Sequence, residues 1–183
     1  ERVDYTLTLY HMDKRDDIVT FTDTATGVNE TANAGKTRHR GVEIGLGADL
    51  TEALRVDVAF SHARHSYEEW RPRTGLDYAG KEMSSAPRVT ASTRLGYRPS
   101  WLPGLHGEIE WERLGKYWMD DENTTRYSGH DLVHLRAAYR FNDRFELVGR
   151  VHNLTDERYA TAAAFTQARG EELAPGLPRT VYA

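Results

Sequence analysis

A strict two-residue alternation is the feature that most limits what this chain can fold into. In "RGVEIGLGADL", residues Val42, Ile44, Leu46, Ala48 and Leu50 fall on one side, and Glu43, Gly45, Gly47 and Asp49 on the other. That is the period of a strand with one apolar face, not of a helix. The pattern returns in "RVDVAFSHA", "RVTASTRLGY", "LVHLRAAYRF" and "FELVGRV". "VDYTLTLYHM" with "DDIVTFTD" reads as one long strand interrupted at Asp13 to Asp16, "GEIEWERLGKYW" as a less regular one, and "PRTVYA" as an eighth segment. Eight strands and no helix predict an all-β, antiparallel fold.

The connections narrow this further. "LTEALR", "SWLPGLH" and "NDR" are short, whereas "YEEWRPRTGLDYAGKEMSSAP", "MDDENTTRYSG" and "ATAAAFTQARGEELAPGL" are long and polar. Short turns on one end and long loops on the other are the arrangement of outer-membrane barrels. No apolar run reaches the roughly 18 residues a spanning helix needs, but barrel strands need only about 9 to 11 with one face apolar. The polar face, with its repeated glycines, Arg and Glu, suits a wet lumen better than the outside of a soluble sandwich. Tyr97, Trp101, Tyr139, Phe141 and Phe145 gather at the short-turn ends, where an interfacial girdle would lie.

Composition excludes several classes. A net charge of -4 gives no basic face for nucleic acid. Without cysteine there is no disulfide scaffold or thiolate metal site, and the eight histidines are scattered without zinc-finger spacing. His62 and His65, three apart on a strand, point to opposite faces, and His130 with His134 straddles the start of another strand. His62, His65, Ser66 and Asp77 form no recognisable nucleophile–base–orienter pattern. The sequons at Asn29, Asn123 and Asn153 read as turn and loop chemistry.

Three stretches carry a family resemblance: "NAGKTRHRGVEIGL" (33–46), "GRVHNLTDERYA" (149–160) and "PGLPRTVYA" (175–183), with "YAGKEMSSAPR" between them. In order and spacing they resemble landmarks of the C-terminal part of TonB-dependent outer-membrane receptors. The resemblance implies that residues 1–183 are the last eight strands of a barrel similar to the 22-stranded transporters, with the plug domain, energy-coupling box and earlier strands lying outside them. The first residues lack a secretory leader and the closing strand stops short of the family's terminal aromatic, so the chain is read as a piece of a longer one. The implied setting is the outer membrane of a Gram-negative bacterium.

The parent protein would then import a scarce nutrient, most plainly a ferric siderophore, with energy from the inner-membrane TonB complex. No catalytic residue, resident metal or cofactor is expected, and no nucleic-acid partner; the surrounding partner is outer-membrane lipid. Tyr67, Trp70, Tyr78, Tyr117, Trp118 and Tyr127, with Arg71, Arg73 and Arg126 among them, would offer aromatic faces and guanidinium groups to an anionic metal chelate. The same residues also suit an outer aromatic girdle with ordinary loop charges. Glu43, Arg88, Arg94, Glu108, Glu110, Glu112, Arg136, Arg140 and Arg150 would line the wall against which a plug packs. The alternative is a self-contained eight-stranded barrel with an adhesion, anchoring or enzymatic role.

Overall fold

The computed structural model describes residues 2–23, 25–72 and 75–183. Eight strands form one antiparallel sheet in sequence order: β1 (Val3–Arg15), β4 (Lys36–Asp49), β5 (Leu54–Glu69), β6 (Val89–Tyr97), β7 (Leu105–Leu114), β10 (His130–Asn142), β11 (Phe145–His152) and β14 (Thr180–Tyr182). Six further strands make three hairpins within the long connections: β2 (Ile18–Thr22) with β3 (Asn29–Asn33), β8 (Tyr117–Trp118) with β9 (Arg126–Tyr127), and β12 (Ala160–Thr166) with β13 (Gly170–Pro175). The sheet is open, with β1 and β14 as its edges. That is not the closed ring a self-contained eight-stranded barrel requires.

Register turns the alternation into two surfaces. One row runs Val3, Ala48, Val56, Leu95, Ile109, Leu135, Val151 and Val181 across all eight strands. The adjacent row on the other face runs Asp4, Gly47, Asp57, Arg94, Glu110 and His134. A one-residue slip anywhere would put charge into the apolar row, so the pattern itself fixes the pairing. On the apolar face Tyr5 and Leu9 are more than 70 % exposed, Leu7 and Val181 nearly as much. Exposure that extends over a whole sheet face is what contact with lipid demands. From Val42 to Leu50 this face covers roughly 27 Å of strand, comparable to an apolar band of about 25 Å.

The short turns close on side chains. The hydroxyl of Thr51 accepts from the amides of Ala53 (3.2 Å) and Leu54 (3.0 Å), and Asn142 Oδ1 accepts from Arg144 (2.9 Å) and Phe145 (3.1 Å). Trp101, Phe141 and Phe145 stand exposed at this end, and Tyr139 packs edge-on against Phe141 at 4.6 Å. The buried apolar clusters lie at the opposite end, in the long loops.

Two strand assignments from sequence are corrected. Residues 3–23 are not one interrupted strand: β1 continues through Asp13 to Arg15, and β2 is separate and pairs with β3. The break is at Asp16, whose φ of 54° turns the chain while its amide donates to the carbonyl of Gly35 at 2.8 Å. "GEIEWERLGKYW" likewise divides: β7 stops at Leu114, and Tyr117–Trp118 belong to a loop hairpin. A Cβ at Gly115 would sit 2.7 Å from the Val89 carbonyl, which accepts the Gly115 amide and ends the ladder there.

Candidate functional site in the lumen and outer loops

The polar face curves enough for residues of β1 and β11 to line one cavity of about 750 Å³, with Thr8, Glu43, Ser61, Thr90, His130 and His152 on its wall. Below it the charged rows form a ladder. Arg94 reaches Glu110 at 3.1 Å and Glu108 at 3.6 Å, and Arg55 gathers Asp4, Asp49 and Asp57 at 2.9–3.2 Å. Arg136 lies opposite Glu108 on one side and Arg150 on the other, and Arg140 pairs with Glu146 at 3.6 Å. Such half-exposed pairs contribute about 0.2–1 kcal/mol each, and they fix orientation more than stability. Arg88 leaves the ladder: its guanidinium forks onto the Glu82 carboxylate, and the Glu82 backbone bridges Ser66.

The aromatic residues proposed for ligand contact divide into two groups. Tyr67, Trp70 and Tyr78 are only 2–3 % exposed and build a loop core with Val19, Phe21 and Ala34. Trp70 is its centre, 4.3 Å from the ring of Tyr67, 4.9 Å from Tyr78 and 5.1 Å, edge-on, from Phe21. These three therefore face one another and not the solvent, because the β2–β3 hairpin that covers them could not be seen in the alternation pattern. Tyr117 is also buried, with Met119 and Ala163, in a second cluster. Tyr127 is half-buried, its hydroxyl 2.9 Å from His130 Nδ1 while it accepts the Ala160 amide at 3.0 Å. Trp118 and Arg126 stack at 3.7 Å on the β8–β9 hairpin, and Arg71 is exposed and bonded to Asp77 at 2.9 Å. Arg73 lies outside the described residues.

The loops are tied to one another by side chains that mimic backbone. Asn123, at φ 58°, accepts the Glu82 amide with its Oδ1 and donates Nδ2 to the Glu82 carbonyl, both at 2.8 Å. Asp121 accepts from the Tyr67 hydroxyl and the Ser84 amide at 3.0 Å each. Burial pushes its carboxyl above the usual range, and burial with Asp121 beside it pushes the Tyr67 phenol up. The amide of Phe165 donates to the Met119 carbonyl at 3.1 Å, and the Arg169 guanidinium donates to the Gly27 carbonyl, so the β12–β13 hairpin meets both other hairpins.

Histidine placement is the part sequence reasoning missed. Register brings His39 opposite His65, with their Nδ1 atoms 2.7 Å apart, while His39 Nε2 lies 3.2 Å from the Thr37 hydroxyl. Both lie beyond the last apolar row, and burial holds both imidazoles below their ordinary value. β10 begins at His130, so His130 and His134 share one face instead of straddling the strand start. His134 stacks on His152 at 4.4 Å, and the ring of His130 lies tilted against Tyr159 at 4.6 Å. Only cross-strand register could have found these contacts. Among the described residues no three His, Asp or Glu side chains are arranged to hold a metal ion. Ser66 bonds Glu68 and Asp77 bonds Arg71, and Ser66, the neighbour of His65 on β5, points to the other face of the sheet.

Comparison with known proteins matches residues 1–154 to the family described as TonB dependent receptor-like, beta-barrel. A curated relative, the probable TonB-dependent siderophore receptor PiuA of Acinetobacter baumannii, is 25 % identical over 139 residues, which are 72 % of this chain and 18 % of the relative. The crystal structure of PiuA superposes with a TM-score of 0.76 at 20 % identity, over 98 % of this chain and 25 % of that one. The ferric yersiniabactin uptake receptor FyuA of Yersinia pestis gives 0.78 at 18 %, over 98 % and 26 %. The copper transporter OprC gives 0.76 at 17 %, over 99 % and 28 %. The chain thus spans about a quarter of the length of these structures.

Proposed function

Because the chain belongs to the TonB-dependent receptor β-barrels of the Gram-negative outer membrane, we propose that its parent protein imports a ferric siderophore, driven by the inner-membrane TonB complex. The family match over residues 1–154, joined to relatives that are themselves siderophore receptors, carries this reading. The eight strands are the closing strands of a larger barrel of about 22. Its two open edges pair with strands outside this sequence, and the plug and the coupling segment also lie outside it.

In this reading the chain makes and breaks no bond. Its ladder of Arg and Glu forms the wall a plug packs against, and the cavity above it is part of the import path. Trp118 and Arg126 on the β8–β9 hairpin, with Arg71, are the outer-mouth residues that meet an anionic, partly aromatic chelate: guanidinium for its charge, indole for its rings. Tyr67, Trp70, Tyr78 and Tyr117 hold those loops in shape from beneath.

The test uses the full-length receptor in an outer membrane. Iron-limited growth is scored on a panel of ferric siderophores with and without the energy-coupling protein. Rescue by one chelate that depends on the coupling protein is the expected outcome. A receptor that is folded and present in the membrane but rescues growth on none would remove the siderophore assignment.

A further inference from the structure

On the polar face of β1, β4 and β5, register sets a thioether and two imidazoles abreast: Met12 lies opposite His39, and His39 opposite His65. Side chains opposed on one sheet face start about 5 Å apart, within reach of a flexible thioether. Met12 is 48 % exposed there and belongs to neither loop core. His65 is held in place by its backbone, whose carbonyl accepts the Met83 amide at 3.0 Å.

The hydrogen bonds around the pair decide which nitrogen is bare. Thr37 donates its hydroxyl proton to Asp17 Oδ2 at 2.9 Å, so the same oxygen accepts from His39 Nε2 at 3.2 Å. His39 Nδ1 is therefore a lone pair, aimed at His65 Nδ1 2.7 Å away. The ring centroids are 5.0 Å apart, so the two nitrogens meet head-on. An outer hydrogen-bond chain ending on a carboxylate is how metal-ligating histidines are oriented. Lys14, one row outward on the same face, is neutralised by Asp17 at 2.6 Å, and burial holds both imidazoles towards their neutral, ligating form.

We propose that Met12, His39 and His65 bind one copper(I) ion at the base of the outer loops. Parting the two rings by roughly 1 Å seats an ion with bonds of about 2 Å to each Nδ1, and the Met12 thioether approaches it from the side. The proton on His65 Nδ1 passes to Nε2 of the same ring, so binding costs no net proton and no electron. A thioether beside imidazole is a soft set that selects copper(I) over hard cations. Zinc calls for four ligands in a tetrahedron, and among the described residues no third His, Asp or Glu is arranged with the pair to hold a metal. Asp17 is itself engaged by Lys14 and Thr37. The inference rests on register and ring geometry and is independent of the chelate reading.

The experiment titrates the full-length receptor, in detergent and under anaerobic reducing conditions, with copper(I) against a competing copper(I) chelator. His65→Gln and Met12→Leu should each weaken the tightest binding step at least about tenfold. X-ray absorption at the copper edge should show nitrogen and sulfur neighbours in the wild type, and loss of the sulfur in Met12→Leu. Zinc(II) should not displace the bound copper(I). Unchanged copper affinity in a folded His65→Gln receptor would overturn the proposal, as would a wild-type spectrum without sulfur or ready displacement by zinc. Should His65→Gln not fold, Met12→Leu decides, since it alters an exposed side chain outside both loop cores.

Discussion

Asn153 is completely buried, has φ 52°, and ends β11. Its Oδ1 accepts the Glu157 amide at 2.9 Å, and its Nδ2 donates to the carbonyls of Glu157 (2.8 Å) and Leu177 (3.1 Å). Asp156, also at positive φ, accepts the Arg179 amide at 2.9 Å, so "NLTDERYA" and "PGLPRT" are two halves of one clasp. Asn153→Ala leaves these backbone groups without partners and puts a Cβ-bearing residue lacking a local hydrogen bond in the left-handed region. The expected cost is about 2–4 kcal/mol, measured as faster hydrogen exchange across 153–180 in the full-length receptor. Gly176 is fixed by space: a Cβ there would lie 2.1 Å from the Tyr159 ring. Gly176→Ala should expel Tyr159 from its contact with His130, which nitrogen chemical shifts of His130 would report.

At the scale of elements, the outer loops behave as small folded units with titratable seams. Asp121 has a higher pKa folded than unfolded, so the folded loop holds that proton more tightly. Its stability is greatest below the ordinary carboxylate value and falls as pH rises through the raised one. Asp121→Asn keeps an oxygen for Tyr67 and Ser84 and should flatten that dependence, read as proteolytic nicking of residues 75–88 against pH. His39 and His65 have the opposite sign. Their pKa values are lowered in the fold, so the pair stabilises the loop above the ordinary histidine value and weakens as pH falls through the lowered ones. Protection of the β3 amides, corrected for intrinsic exchange, should therefore fall as pH drops below the ordinary histidine value. A His65→Gln variant should lose most of that change. Trp70→Ala, which empties the centre of the loop core, should cost about 3–5 kcal/mol of local stability.

For the whole molecule, burial is inverted relative to a soluble protein: apolar clusters occupy the loops, and the sheet shows its apolar row outward. Ile109→Arg, in the middle of that row, should cost about 2–4 kcal/mol when the full-length receptor folds into bilayers. The 183 residues by themselves have two open edges and no second half to close against. They should not insert as a stable monomer; a cooperative unfolding transition of a monomer in detergent would refute this.

The sequence by itself determined the sheet. Side chains alternate on a strand with period two, so the apolar and charged faces, the eight paired segments and their up-and-down order were all legible from "RGVEIGLGADL" onward. Short and long connections told the two ends apart for the same local reason. The loop architecture was decided only in three dimensions. Nothing in "DDIVTFTD" or "YEEWRP" shows that Phe21 will cover Trp70, since that contact depends on a turn at Asp16 and on a hairpin pairing fixed by tertiary packing. The histidine contacts depend likewise on register across strands: His39 meets His65, and His134 meets His152, at separations the chain does not encode locally. Aromatic side chains written in polar loops therefore became a buried core, while Trp118 and Arg126, facing each other across two paired short strands, became a stacked pair.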